Sequence, residues 1–114
     1  MAKVQMTPGE AREYKRLMKI FRALPPNKLA NAEGLIRQAA RLRDRLDSLW
    51  LDLQENGETE MFSQSPNTDP YERERPASRT FTATDKSYQA IIRQLNDMVP
   101  EQQEKDALAD FLNG

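Results

Sequence analysis

Five cations recur along one short stretch: Arg12, Lys15, Arg16, Lys19 and Arg22. At helical spacing they share a face, opposite Tyr14, Leu17, Met18, Phe21 and Leu24. A row of fixed cations on a rigid helix can neutralise several phosphates without reading base sequence. The surplus continues through Lys28, Arg37, Arg41 and Arg45, the last three repeating at i, i+4. Residues 1–45 hold eleven of the seventeen Lys and Arg and four of the eighteen Asp and Glu. Residues 46–114 hold the other six basic and fourteen acidic residues. One half can therefore meet a polyanion while the other meets a different surface. The expected nucleic-acid contacts are Arg12, Lys15, Arg16, Lys19, Arg22, Arg37 and Arg41. The same face could instead pair with acidic protein surface, and a basic amphipathic helix can also lie on an anionic membrane. Tyr14, Leu17 and Phe21 are more simply used as core, which ranks the membrane reading lower.

Other chemistry is poorly supplied. The chain has no histidine and no cysteine, so the commonest general base, the commonest metal ligand and any disulfide framework are missing. Glu58-Thr59-Glu60 and Glu72-Arg73-Glu74 are the nearest approach to a carboxylate cluster, and both are interleaved with polar or basic residues. Glycines stand singly at positions 9, 34, 57 and 114, which leaves no phosphate-cradling loop. No catalytic site, metal or cofactor is expected. With no apolar run near the roughly 20 residues that span a bilayer, a soluble cytoplasmic protein without membrane contact is expected.

The elements that must position the cations read as helical. Thr7-Pro8-Gly9-Glu10 is a helix start, with Thr7 as N-cap and proline at the first turn. Pro25-Pro26 ends that helix. A second helix is expected from about Asn27 to Asn56, with Gly57 as its stop. Along it Leu35, Ala39, Leu42, Leu46, Leu49 and Leu53 step by four and three, the spacing of a packed seam. Residues 57–81 are rich in turn formers and read as an extended polar loop without strands. A third helix is expected to begin at the N-cap Thr84 and to carry Tyr88, Ile91, Ile92, Leu95 and Met98 up to Pro100. At about half the length of the second helix it leaves part of the leucine seam uncovered. Leu35, Leu42, Leu46, Leu49 and Leu53 are therefore expected to hold copies of the chain together. The acidic tail carries Leu108, Phe111 and Leu112 at helical spacing, a short peptide suited to a partner's groove.

The fold expected is thus all-α, in three stretches. Residues 1–26 form a basic helix, 27–98 a helical hairpin with the polar loop 57–81, and 99–114 an acidic tail or helix.

The stretch Tyr71-Glu72-Arg73-Glu74-Arg75-Pro76-Ala77-Ser78, followed by Tyr88-Gln89-Ala90-Ile91-Ile92-Arg93-Gln94-Leu95-Asn96-Asp97-Met98-Val99-Pro100, resembles small terminase subunits of phages and prophages. The resemblance covers roughly residues 30–100 and includes the long helix that ends near Gly57. It implies a DNA-packaging role in a bacterial host cell, with double-stranded DNA and the large terminase subunit as partners and with self-association. The motif carries over Glu74, Arg75, Pro76 and Ala77, none with a catalytic role. A three-helix reading head at the N-terminus is not found, so contact is expected through the basic face rather than through base recognition. The alternative is a small helical phage scaffold or regulatory protein that binds only protein. In that case the basic face of one copy pairs with the acidic half of another.

Overall fold

Thr7, itself extended, starts the first helix because its side-chain oxygen accepts a hydrogen bond from the Glu10 amide at 3.1 Å. Helix α1 follows over Pro8–Phe21. The computed structural model describes residues 5–100 and 111–112. Helix α2 runs from Pro26 to Asn56, with Pro26 in the first turn, where a missing amide costs nothing. Strands β1 (Thr59–Phe62) and β2 (Tyr71–Glu74) pair antiparallel, and helix α3 spans Pro76–Asp97. Among the described residues the fold is all-α apart from this hairpin, and it is elongated, with extents of 64 × 41 × 22 Å.

The long helix is the spine, and α1 and α3 both pack on it. The core cluster combines Leu17, Phe21 and Leu24 with Ala32, Ile36 and Ala39 and with Leu95. Small residues on α2 let the helices approach closely, and Ala39 and Ala40 are fully buried. Complete burial of Leu17, Ile36, Leu46 and Leu95 stabilises by roughly 1.5–3 kcal/mol per side chain. The N-terminus of α1 is fixed on α2 by the Thr7 hydroxyl, which donates to Asp44 Oδ2 at 2.8 Å. A Cβ at Gly9 would run into the Asp44 carboxylate, so glycine permits this close approach. The carboxylate also stands at the positive end of the α1 dipole. Beyond Asp44, α2 has no α1 beside it. There Trp50 packs against Phe81 of α3 with ring centroids 5.8 Å apart, and Trp50 and Leu51 remain exposed.

Two expectations are corrected here. The segment 57–81 is not a strandless polar loop. Glu60 lies directly opposite Arg73, and Phe62 opposite Tyr71. Arg73 reaches Glu60 at 3.2 Å and lies 3.5 Å over the Phe62 ring, while Phe62 and Tyr71 meet edge to face. These cross-strand pairs stabilise strands too short to show periodicity. The Ser63 hydroxyl donates to the Ser65 and Thr68 carbonyls and closes the connection at the tip. Second, Thr84 is not an N-cap; it is buried inside α3, which begins eight residues earlier at Pro76. Arg75 is extended (φ −68°, ψ 142°), as a residue before proline must be.

The same Arg75 ties the neck of the hairpin. Its guanidinium donates to Asp52 at 2.9 Å and to the Gly57 carbonyl at 2.8 Å, and its amide donates to the Glu58 carbonyl. Gly57 turns the chain out of α2 at φ 82° and ψ 176°. Only glycine adopts that conformation without strain. Gly57→Ala is therefore expected to cost about 1–3 kcal/mol, read as a lower denaturation midpoint with unchanged helical circular dichroism at low temperature.

Candidate nucleic-acid interface

The cationic face of α1 stands opposite its core stripe because positions 12, 15, 19 and 22 fall on the far side of the helix from Leu17 and Phe21. Arg12, Lys15, Lys19 and Arg22 are all exposed. None of the four makes an ion pair or a side-chain hydrogen bond among the described residues. Lys15, Lys19 and Arg22 frame a shallow depression floored by Tyr14 and Met18. Arg37 of α2 joins this patch from the side, with its guanidinium 5.5 Å from the centre of the Tyr14 ring. It is also engaged by Glu33 at 2.9 Å, and the Tyr14 hydroxyl donates to the same carboxylate. Arginine and tyrosine hydrogen bonds together hold Glu33 below the ordinary carboxyl range.

Arg16 is exposed as well, but it has an acidic partner. Its guanidinium turns toward α3 and binds Glu13 in a bidentate pair, at 2.6 Å and 3.0 Å. Glu13 lies on the apolar stripe, four residues before Leu17 and eight before Phe21, and is only 6% exposed. The Tyr88 hydroxyl of α3 donates to its second oxygen. Arg43 of α2 lies over the Tyr88 ring at 5.2 Å and pairs with Asp47 at 2.9 Å. All three helices therefore meet at one buried carboxylate. The Arg16 hydrogen bonds hold Glu13 below the ordinary carboxyl value, against the opposing effect of burial. Burial, followed by the hydrogen bond to Glu13, raises Tyr88 above the ordinary phenol value. The sequence places Tyr88 on the apolar stripe of the third helix but does not single out Glu13 as its partner. The signal was present, since a glutamate in phase with leucine and phenylalanine must be paired where it is buried.

Arg41 is exposed but sits elsewhere. It borders a groove of about 480 Å³ between α2 and α3, together with Gln38, Leu42, Ser87, Ala90 and Ile91. The seven cations therefore divide into an open row on α1, a shared Arg37, an Arg16 paired with Glu13 and a separate Arg41.

The leucine seam is also divided. Leu46 and Leu53 are buried within the chain and present no surface to another copy. This corrects their assignment to oligomerisation. The reason is that α3, at 22 residues against 31 for α2, covers more of the seam than a helix starting at Thr84 would. Leu35, Leu42 and Leu49 are half-buried. In the tail, Phe111 and Leu112 form helical backbone and are 81% and 72% exposed. Leu108 lies outside the described residues.

Glu74, Arg75 and Pro76 hold the hairpin neck and the start of α3 in place. Arg75 ties the hairpin neck, Pro76 starts α3, and Glu74 faces Arg79 at 3.5 Å across that start. Among the described residues no three acidic side chains converge as a metal site, and no helix is long and apolar enough to cross a membrane. Comparison with protein-family models, with curated proteins and with solved structures finds no match for this chain.

Proposed function

We propose that this protein is a non-catalytic DNA-packaging adaptor of the small terminase subunit kind. It holds double-stranded DNA by its phosphates and presents its other end to protein. One observation carries the reading: Arg12, Lys15, Lys19 and Arg22 form an exposed row on α1 with no carboxylate partner among the described residues. Arg16, Arg37, Arg43, Arg73, Arg75 and Arg79 are each paired with an acid, whereas these four stand together on one face of a single short helix. A rigid helix that leaves four cations unpaired at intervals of three or four residues matches a ladder of phosphates rather than a set of base edges. Contact of this kind positions DNA without choosing its sequence. The distal end has the opposite character. Trp50, Leu51, Met61 and Tyr71 are exposed there beside Asp47, Glu55 and Glu58. An acidic and apolar end suits a protein partner, which in this reading is the large terminase subunit.

The test is neutralisation of the row. Lys15→Ala/Lys19→Ala is expected to weaken duplex binding at least about tenfold in low salt, equally for unrelated sequences. Arg79→Ala, at the hairpin neck, is expected to leave affinity unchanged. Fluorescence anisotropy with a labelled duplex reads both. Equal affinity for the double variant and the parent would contradict the assignment.

A further inference from the structure

The two faces of the α2–α3 pair are treated differently. On one face α1 fills the space and closes it at Glu13, Tyr88 and Arg43. On the other face Leu42, Ala90 and Ile91 floor an open groove with no helix over it among the described residues. Its rim is basic. Arg41 lines it, Arg45 stands one turn further along α2, and Lys86 precedes Ser87; all three are exposed. Two such grooves meeting face to face would bring arginine against arginine, which disfavours a two-fold contact.

The complementary surface lies in the same chain. Residues 101–114 carry Glu101, Glu104, Asp106 and Asp110 against the single Lys105, together with Leu108, Phe111 and Leu112. At helical spacing Leu108, Phe111 and Leu112 share one side, the arrangement of an acidic helix that lays its apolar face in a groove. In the single chain Phe111 and Leu112 are largely exposed while the groove stands open. Phe111 and Leu112 therefore do not cover the groove of their own chain. We propose that the α2–α3 groove binds the acidic C-terminal segment of a second copy, so that the chains associate head to tail. Leu108, Phe111 and Leu112 would cover Leu42, Ala90 and Ile91, and Glu101 and Glu104, which share their side of the helix one to two turns earlier, would meet Arg41, Arg45 and Lys86. The contact is heterologous, and repetition builds a ring or an open filament. It rests on the self-associating part of the adaptor reading but leaves the α1 row free for DNA.

Two variants of the full chain test this by complementation, without DNA. Phe111→Ser/Leu112→Ser keeps the groove and disables the tail. Ala90→Glu keeps the tail and places a like charge in the groove. All three substituted positions are exposed, and circular dichroism checks that both variants retain their helix. In sedimentation velocity the parent is expected to self-associate, less so as salt rises. Each variant alone is expected to associate at least about tenfold more weakly. Mixed, the two are expected to form a one-to-one dimer that cannot extend, through the one intact groove and the one intact tail. Undiminished self-association of the tail variant would overturn the proposal in favour of a different interface. A monomeric parent, or a mixture that stays monomeric, would overturn it as well. Duplex binding by the Phe111→Ser/Leu112→Ser variant separates this failure from failure of the DNA reading, because the α1 row is untouched in it.

Discussion

Leu46→Ala is expected to lower the unfolding free energy by about 3 kcal/mol, by the same amount across a wide range of protein concentration. The side chain is fully buried within one chain, so truncation leaves a cavity among the helices rather than a gap between subunits. Its partners are relatively fixed, and the surrounding helices can collapse into the gap only in part. Chemical denaturation at several concentrations distinguishes the two locations. Were Leu46 part of a subunit contact, the variant would differ from the parent chiefly in how its midpoint shifts with concentration. A loss below about 1 kcal/mol would place it outside a packed core.

Glu13→Gln is expected to have the second largest effect, about 2 kcal/mol at neutral pH. Glutamine keeps the size and one acceptor oxygen but removes the charge that Arg16 and Tyr88 address together. The pH dependence has a definite sign. The folded carboxyl titrates below the ordinary value of 4.5, so its contribution is fully present above that value. It is lost as the pH falls through the lowered value of the folded state. Tyr88 acts at the other end. Its folded value lies above the ordinary 10.0, so its contribution is present below 10.0 and disappears as the pH rises through the folded value. The parent should therefore lose stability from pH 4.5 downward, and Glu13→Gln should lose less over the same interval. Glu33 and Asp52 also titrate low, through exposed pairings, and they contribute acid sensitivity to parent and variant alike. Parallel acid limbs for the two proteins would show that Glu13 is not the group responsible.

Much of the helical layout was legible in the residues. Thr7 and Pro8 mark the start of α1, and Gly57 marks the end of α2 by a conformation that other residues avoid. The basic row on α1 was legible because burial on one side of a helix fixes what lies on the other. The hairpin was not. Its strands are four residues each, and what pairs them is Arg73 reaching Glu60 and Tyr71 meeting Phe62 across a gap in sequence. No local pattern carries that information. The start of α3 was misread for a related reason. Thr84-Asp85 has the composition of a cap, but Pro76 begins the helix once the hairpin neck has been tied by Arg75 to Asp52. Spacing sets Arg16 among the exposed cations, and its pairing with a buried Glu13 is what spacing does not carry. The Tyr88 hydroxyl that reaches the same carboxylate comes from α3, too far along the chain for any local pattern to show.

The adaptor reading depends on four unpaired cations meeting four phosphates. The most direct measurement is the affinity of the full chain for a short duplex over a range of salt concentrations. A plot of log K against log salt is expected to fall with a slope of about −3.6, at about −0.9 per phosphate, and to lose about half that slope in Lys15→Ala/Lys19→Ala. A flat line, or no binding in dilute buffer, would contradict it.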